Sequence, residues 1–175
     1  MLYTKDGDSG KTKIFDCDQK LSKSSAVAEA LGALDEVNSF LGIVKSKIGA
    51  KDKKTIHEMQ ENLFIIQAEV AGADKKIVKD KISAMEKMID GIEKELPPIN
   101  TFFIAGATEI ESVLDFARTL VRRAERRVVA VSEEGLVKIS KSTLSYLNRL
   151  SSLLYALARQ AAHKSGINES APGYK

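Results

Sequence analysis

The chain has 175 residues, 43% hydrophobic and 29% charged, the balance of a globular domain long enough to bury one sizeable core. A net charge of +3 is too small to make nucleic acid or a membrane surface the partner, so any basic character must be local. One cysteine, Cys17, excludes an intrachain disulfide and fits a reducing setting, and the two distant histidines, His57 and His163, give no zinc-ligand pattern. Cys17 reads as a passive thiol, with no histidine near it in sequence. No apolar run reaches membrane-spanning length and the N-terminus has no signal-peptide pattern, so a cytoplasmic protein is expected.

Residues 1–23 are polar and rich in Gly, Lys and Asp, and read as an extended arm or loop. A helix is predicted from Ser24 or Ser25, serine being suited to the N-cap, with Val27, Ala30, Leu31, Leu34, Val37, Leu41 and Val44 as its buried stripe. A second runs from about Asp52 to Ala71 and a third from about Lys75 to Leu96, where Pro97 and Pro98 stop it. Residues 99–107 form a connection too apolar for an ordinary surface loop, which points to packing or ligand contact. The fourth helix spans about Thr108 to Ser132 and the fifth about Lys138 to Lys164, through Leu144, Leu147, Leu150, Leu154 and Leu157. No convincing β pattern appears, and the prediction is an all-α, five-helix bundle.

Arg118-Thr-Leu-Val-Arg-Arg-Ala-Glu-Arg-Arg127 places five arginines in ten residues of the fourth helix. With about 3.6 residues per turn, Arg118, Arg122 and Glu125 share one strip with Arg126 at its flank, beside an apolar stripe, while Arg127 falls on the opposite side, where it should be solvated. Guanidinium groups crowded beside a core fit phosphate or carboxylate oxygens, although a solvated charged face explains the strip equally well. In the arm, Gly7 and Gly10 let backbone approach an anion and Lys5, Lys11 and Lys13 supply charge; the alternative is a flexible polar terminus. Gly10-Lys11-Thr12 mimics the end of a phosphate-binding P-loop, but Lys5 stands where its first glycine belongs and no βαβ pattern follows. Asp35, Asn38 and Gly42 on the first helix, and Asn148, Ser151, Tyr155 and Arg159 on the last, edge their apolar stripes. Each set fits either a polar packing contact or one wall of a shared site.

Four segments resemble the PduO-type ATP:cob(I)alamin adenosyltransferases. Tyr3-Thr-Lys-Asp-Gly-Asp-Ser-Gly10 is similar to the family's Y-T-K-x-G-D-x-G signature, and Gly32-Ala-Leu-Asp-Glu-Val-Asn-Ser39 to its G-x-x-D-E-L-N-S motif. Arg118-x-x-x-Arg-Arg-Ala-Glu-Arg126 resembles the R-x-x-x-R-R-A-E-R helix, and Tyr146-Leu-Asn-Arg-Leu-Ser151 the [FY]-[LI]-N-R-L-S segment. The turn Phe102-Phe-Ile-Ala-Gly-Ala107 departs from the family's Phe-[IV]-L-P-G-G, Ser152 stands where an aspartate is usual, and Ser25-Ala-Val27 has no charge.

The resemblance implies one domain over 1–175: an N-terminal ATP-binding arm over 1–23, a bundle over 24–165 and a tail over 166–175 that can order over the site. The bundle would have a ferritin-like, four-helix-type core plus one helix. The implied activity is transfer of the 5′-deoxyadenosyl group of ATP to cob(I)alamin, giving adenosylcobalamin and inorganic triphosphate, with Mg²⁺ assisting. The alternative is a helical nucleotide- or cobalamin-binding protein without turnover. The implied assembly is a homotrimer with sites between subunits, served by a reductase and by an adenosylcobalamin-dependent acceptor enzyme. By the same resemblance Thr4, Lys5, Asp6, Gly7, Thr12, Lys13 and Lys23 hold ATP, with Arg122, Arg123, Glu125, Arg126 and Asn148 completing the nucleotide site. Asp35 would pair with Arg118 of a neighbouring subunit and, with Arg122, form the catalytic set. Phe102 would close over cobalamin and remove its lower axial ligand.

Overall fold

The computed structural model describes residues 3, 5–14, 20–135, 137–167 and 170–174. Among them are five α-helices, α1 (Ala26–Lys47), α2 (Ala50–Val70), α3 (Lys79–Glu93), α4 (Glu109–Glu133) and α5 (Lys141–Lys164). They also include two short antiparallel strands, β1 (Lys11–Lys13) and β2 (Lys20–Ser22). The strands correct the expectation of an arm without β structure. Each has only three residues, too few for an alternating pattern to stand out, and Lys11, Thr12 and Lys13 face Ser22, Leu21 and Lys20.

The helix ends follow capping chemistry. Ser25, Thr108 and Ser140 cap α1, α4 and α5 by accepting from the amides three residues on. The fifth helix thus begins at Lys141, not Lys138, because Ser140 is the cap and its own N–H donates to the buried Glu69 carboxylate at 2.8 Å. The third helix is shorter than its apolar pattern at both ends: Ile77 is buried ahead of it, before the extended cap residue Val78, and Leu96 is biased away from helix by Pro97.

Side-chain pairs fix the packing. Lys47 with Glu109, Phe40 with Phe116, Glu36 with Arg123 and Glu29 with Arg127 run in opposite orders along α1 and α4, so these helices are antiparallel. Asn148 with Glu125 and Tyr155 with Arg118 make α4 and α5 antiparallel too. Asn62 and Glu69 of α2 reach Tyr146 and Thr143 of α5, closing a four-helix core of α1, α2, α4 and α5. The helix α3 lies along the outside of α5, where Arg149 Nε donates to Glu86 at 2.9 Å. Leu34, Leu41, Leu63, Ile66, Leu147, Leu150 and Leu154 are fully buried between the four. Truncating any one to alanine costs about 2–5 kcal/mol. The result is a rigid frame whose α4–α5 face and 94–108 connection carry the polar residues described next.

Candidate functional site: an arginine wall with an aromatic lip

The apolar stripe of α4 (Leu114, Ala117, Val121, Ala124, Val128) is buried, which turns its arginines outward in a fixed order. Three of the five are matched by carboxylates. Arg118 donates through Nε and Nη2 to both oxygens of Asp115, at 2.7 and 3.2 Å, and its guanidinium lies 5.9 Å from the Tyr155 ring centre. Arg123 pairs with Glu36, and Arg127 with Glu29 at 3.6 Å. Arg127 is therefore the outer rung of the α1–α4 contact, which corrects the expectation that it is merely solvated. Among the described residues Arg122 and Arg126 are exposed and have no ion-pair partner.

Arg118 and Arg122 form one wall of a cavity of about 600 Å³, with Asp115, Ser151, Ser152 and Tyr155 beside them and residues 99–103 and Ala105 opposite. That size suits a ligand larger than a single anion. The greasy connection divides its two phenylalanines. Phe103 is half-buried under Arg159, whose guanidinium sits 4.9 Å from the ring centre and donates from Nη2 to the Pro97 carbonyl at 3.3 Å. Phe102 is 76% exposed at the lip. The apolar character of 99–107 thus serves both packing and presentation.

The arm builds a second cleft, of about 570 Å³, lined by Asp6, Gly7, Lys11, Thr12, Lys13, Lys20 and Lys23. Its turn is closed by Asp8 N–H to Lys5 O and Gly10 N–H to Gly7 O, each 3.1 Å, and Lys5 takes a left-handed φ of 64°. Lys23 packs closely over Gly7: a Cβ there would stand 2.8 Å from its Nζ, so the lysine end would have to swing aside. Backbone and four lysines thereby converge on a space fit for phosphate oxygens.

Of the residues singled out in the sequence, the structure thus unites Phe102, Arg118 and Arg122 in one cavity and Asp6, Gly7, Thr12, Lys13 and Lys23 in the other. Lys5 shapes the second from its turn, and Thr4 lies outside the described residues. Asn148 donates to Glu125 at 3.2 Å and accepts from Arg149 at 2.7 Å, next along α5 from the cavity. Asp35 is exposed on α1 beside Glu36, while within this chain Arg118 is engaged by Asp115. Asn38 is buried with its Oδ1 unpartnered among the described residues, and only its backbone carbonyl accepts, from Gln60 at 3.0 Å. Sequence reasoning missed Asp115, three residues before Arg118 on the same face, and Glu111. A partial signal for Glu111 was present: Thr108-x-x-Glu111 has the capping-box sequence pattern, although the carboxylate reaches past Thr108 to Gly106 and Ala107.

The all-α bundle thus presents a cationic wall with an aromatic lip and, apart from it, a lysine-lined turn, surfaces suited to anionic and apolar ligand groups. The chain belongs to the cobalamin adenosyltransferase family, whose model matches residues 2–161. It is 38% identical to the corrinoid adenosyltransferase PduO of Salmonella typhimurium over 95% of this chain, and 35% identical to the Bacillus subtilis corrinoid adenosyltransferase over 96%. It spans about half the length of the PduO relatives, 52% of the Salmonella protein, but 90% of the Bacillus one. A variant PduO-type ATP:corrinoid adenosyltransferase from Lactobacillus reuteri, solved with cobalamin and ATP, superposes with a TM-score of 0.92 at 30% identity, covering 99% of this chain and 97% of that one. A second variant, solved with ATP, gives 0.90 at the same identity, covering 98% of this chain and 100% of that one.

Proposed function

We propose that the chain transfers the 5′-deoxyadenosyl group of ATP to cob(I)alamin. The observation that carries this reading is the cavity in which Arg122, without an ion-pair partner among the described residues, lies with the exposed Phe102. One substrate must place a developing anion near the first, and the other a flat hydrophobic face near the second. Cobalt(I) supplies an electron pair to C5′; the cobalt–carbon bond forms as the C5′–O bond breaks, and inorganic triphosphate leaves with the bonding pair. Cobalt ends formally as cobalt(III). No protein base is required, so the residues work by positioning and by stabilising charge on the leaving group.

Arg122 and Arg126 meet the triphosphate, with Arg123, Glu125 and Asn148 ordering the nucleotide beside them. The arm contributes Thr4, Lys5, Asp6, Gly7, Thr12, Lys13 and Lys23. Mg²⁺ enters on the ATP phosphates, with Asp6 the carboxylate within the lysine cleft. Phe102 closes over the lower face of the corrinoid and displaces the lower axial ligand, which makes cobalt(II) easier to reduce. The arm, bundle and tail act as one unit over 1–175. A homotrimer brings the lysine cleft of one subunit to the arginine wall of the next, with Asp35 reaching Arg118 across the boundary. A cytoplasmic reductase supplies the electrons and an adenosylcobalamin-dependent enzyme takes the product. No described helix is long and apolar enough to cross a membrane.

Anaerobic incubation of chemically reduced cobalamin with ATP and Mg²⁺ tests the reading. Adenosylcobalamin and inorganic triphosphate are expected in equal amounts. ATP binding with neither product would replace the enzyme by a nucleotide- or cobalamin-binding protein.

A further inference from the structure

The lip of the cavity is held from behind by a residue outside the set above. Glu111, in the first turn of α4, is only 6% exposed. Its Oε2 accepts from the backbone N–H groups of Gly106 at 2.8 Å and Ala107 at 3.0 Å, with the Ser112 hydroxyl at 3.4 Å. Two successive amides donating to one carboxylate fix two successive peptide planes. They do so around Gly106, whose φ of 118° L side chains rarely adopt. Farther back, Ile104 N–H donates to Ser170 O at 2.8 Å, and Arg159 holds Phe103 and Pro97. Phe102 is mostly exposed, so its place at the lip is set by the backbone on either side rather than by packing of its ring.

Helix capping alone does not account for this carboxylate. Thr108 Oγ1 already caps α4 by accepting from Glu111 N–H at 3.0 Å, and Glu109 already puts an exposed acid in the first turn. Burying a second carboxylate costs free energy unless hydrogen bonds match it, and here the matching donors belong to the connection. We propose that Glu111 is a positioning residue that, through Gly106 and Ala107, holds the 99–107 connection so that Phe102 faces the cavity and can close on a corrinoid. The corrinoid part rests on the adenosyltransferase reading; the hold on the connection does not.

The test uses Glu111→Ala, Glu111→Gln and Gly106→Ala, each alone and combined with Phe102→Trp. The chain has no tryptophan, so the indole is a unique reporter of the lip. Glu111→Ala should lower its anisotropy and raise its accessibility to a neutral quencher. Glu111→Gln, which keeps an oxygen for the two amides, should restore both. With cob(II)alamin and ATP, Glu111→Ala should cut the four-coordinate cobalt(II) signal and turnover from cobalt(II) at least about tenfold, and transfer from prereduced cobalt(I) less than about threefold. Gly106→Ala adds a methyl that meets no atom within 4 Å, so it perturbs only the backbone and should reproduce the pattern. If Glu111→Ala does not fold, Glu111→Asp, one methylene too short to keep both amide contacts, decides the matter by the same readouts.

An unmoved reporter, equal losses on the two routes, or a glutamine variant as impaired as the alanine one would each overturn the proposal. If the unmodified chain makes no adenosylcobalamin, the enzyme reading fails instead. The reporter arm still decides whether Glu111 holds the lip.

Discussion

Five arginines in ten residues repel one another, by about 0.2–0.5 kcal/mol for each pair four apart. The fold answers three of them with Asp115, Glu36 and Glu29 and leaves Arg122 and Arg126 facing out. The sequence showed the crowding but could not divide it, because two of the three carboxylates come from α1 and only packing brings them near. Arg122→Ala is expected to lower kcat/KM by about two to three orders of magnitude, the usual loss when a donor to developing charge is removed. Arg127→Ala, a half-exposed rung on the other side, should change it less than about twofold. Comparable losses in both would remove the distinction. Tyr146 offers a separate residue-level test. Burial, partly offset by the Asn62 hydrogen bond, pushes its hydroxyl up to about 12 from 10.0. The fold favours the neutral form, so its stability is whole below pH 10 and falls as pH rises toward 12, by about 2–3 kcal/mol in all. Urea unfolding across that window should show the loss, and Tyr146→Phe, though less stable at neutral pH, should show a shallower decline; parallel curves would rule out Tyr146 as the source.

The helices were legible because each buries a stripe with helical spacing, and their starts because Ser25 and Thr108 are capping residues. The elements misjudged are those whose limits depend on other elements. The fifth helix starts late because Glu69 of α2 engages its cap, and α3 leaves Ile77 buried ahead of its start. The hairpin was missed because its register is a pairing of two three-residue strands, not a periodicity. The 99–107 connection was flagged by its apolarity, yet only the structure separates Phe103, stacked under Arg159, from Phe102 at the lip. The two rings therefore have different expected roles. Phe102→Ala should impair adenosylation starting from cobalt(II) far more, by about tenfold or beyond, than transfer from prereduced cobalt(I). Parallel assays with a reducing system and with prereduced cobalamin give the ratio, and equal losses would remove Phe102 from lower-ligand displacement. Thr108→Ala should cost about 1 kcal/mol of stability, since it removes the cap of the helix that bears both the wall and Glu111.

At the scale of the whole molecule the outstanding fact is that one chain holds its two candidate phosphate-binding clusters in separate places. The arginine wall shares no cavity lining with the lysine-lined turn of the arm, although a single triphosphate could use both. Either the arm and the wall serve different ligands, or copies of the chain bring them together. A cyclic trimer does the latter if each site takes the arm of one subunit and the wall of the next. Complementation separates the cases. Lys23→Ala should disable the arm and Arg122→Ala the wall, each abolishing most activity in a uniform assembly. In a randomly mixed one-to-one assembly of the two variants, a shared site is intact when an unmodified arm meets an unmodified wall, which happens at about one site in four. The mixture as a whole should therefore recover about a quarter of the unmodified activity, whereas sites contained within single chains recover none. Sedimentation equilibrium of the same mixtures should show trimers; a monomer at working concentration with full activity would leave the shared site untenable.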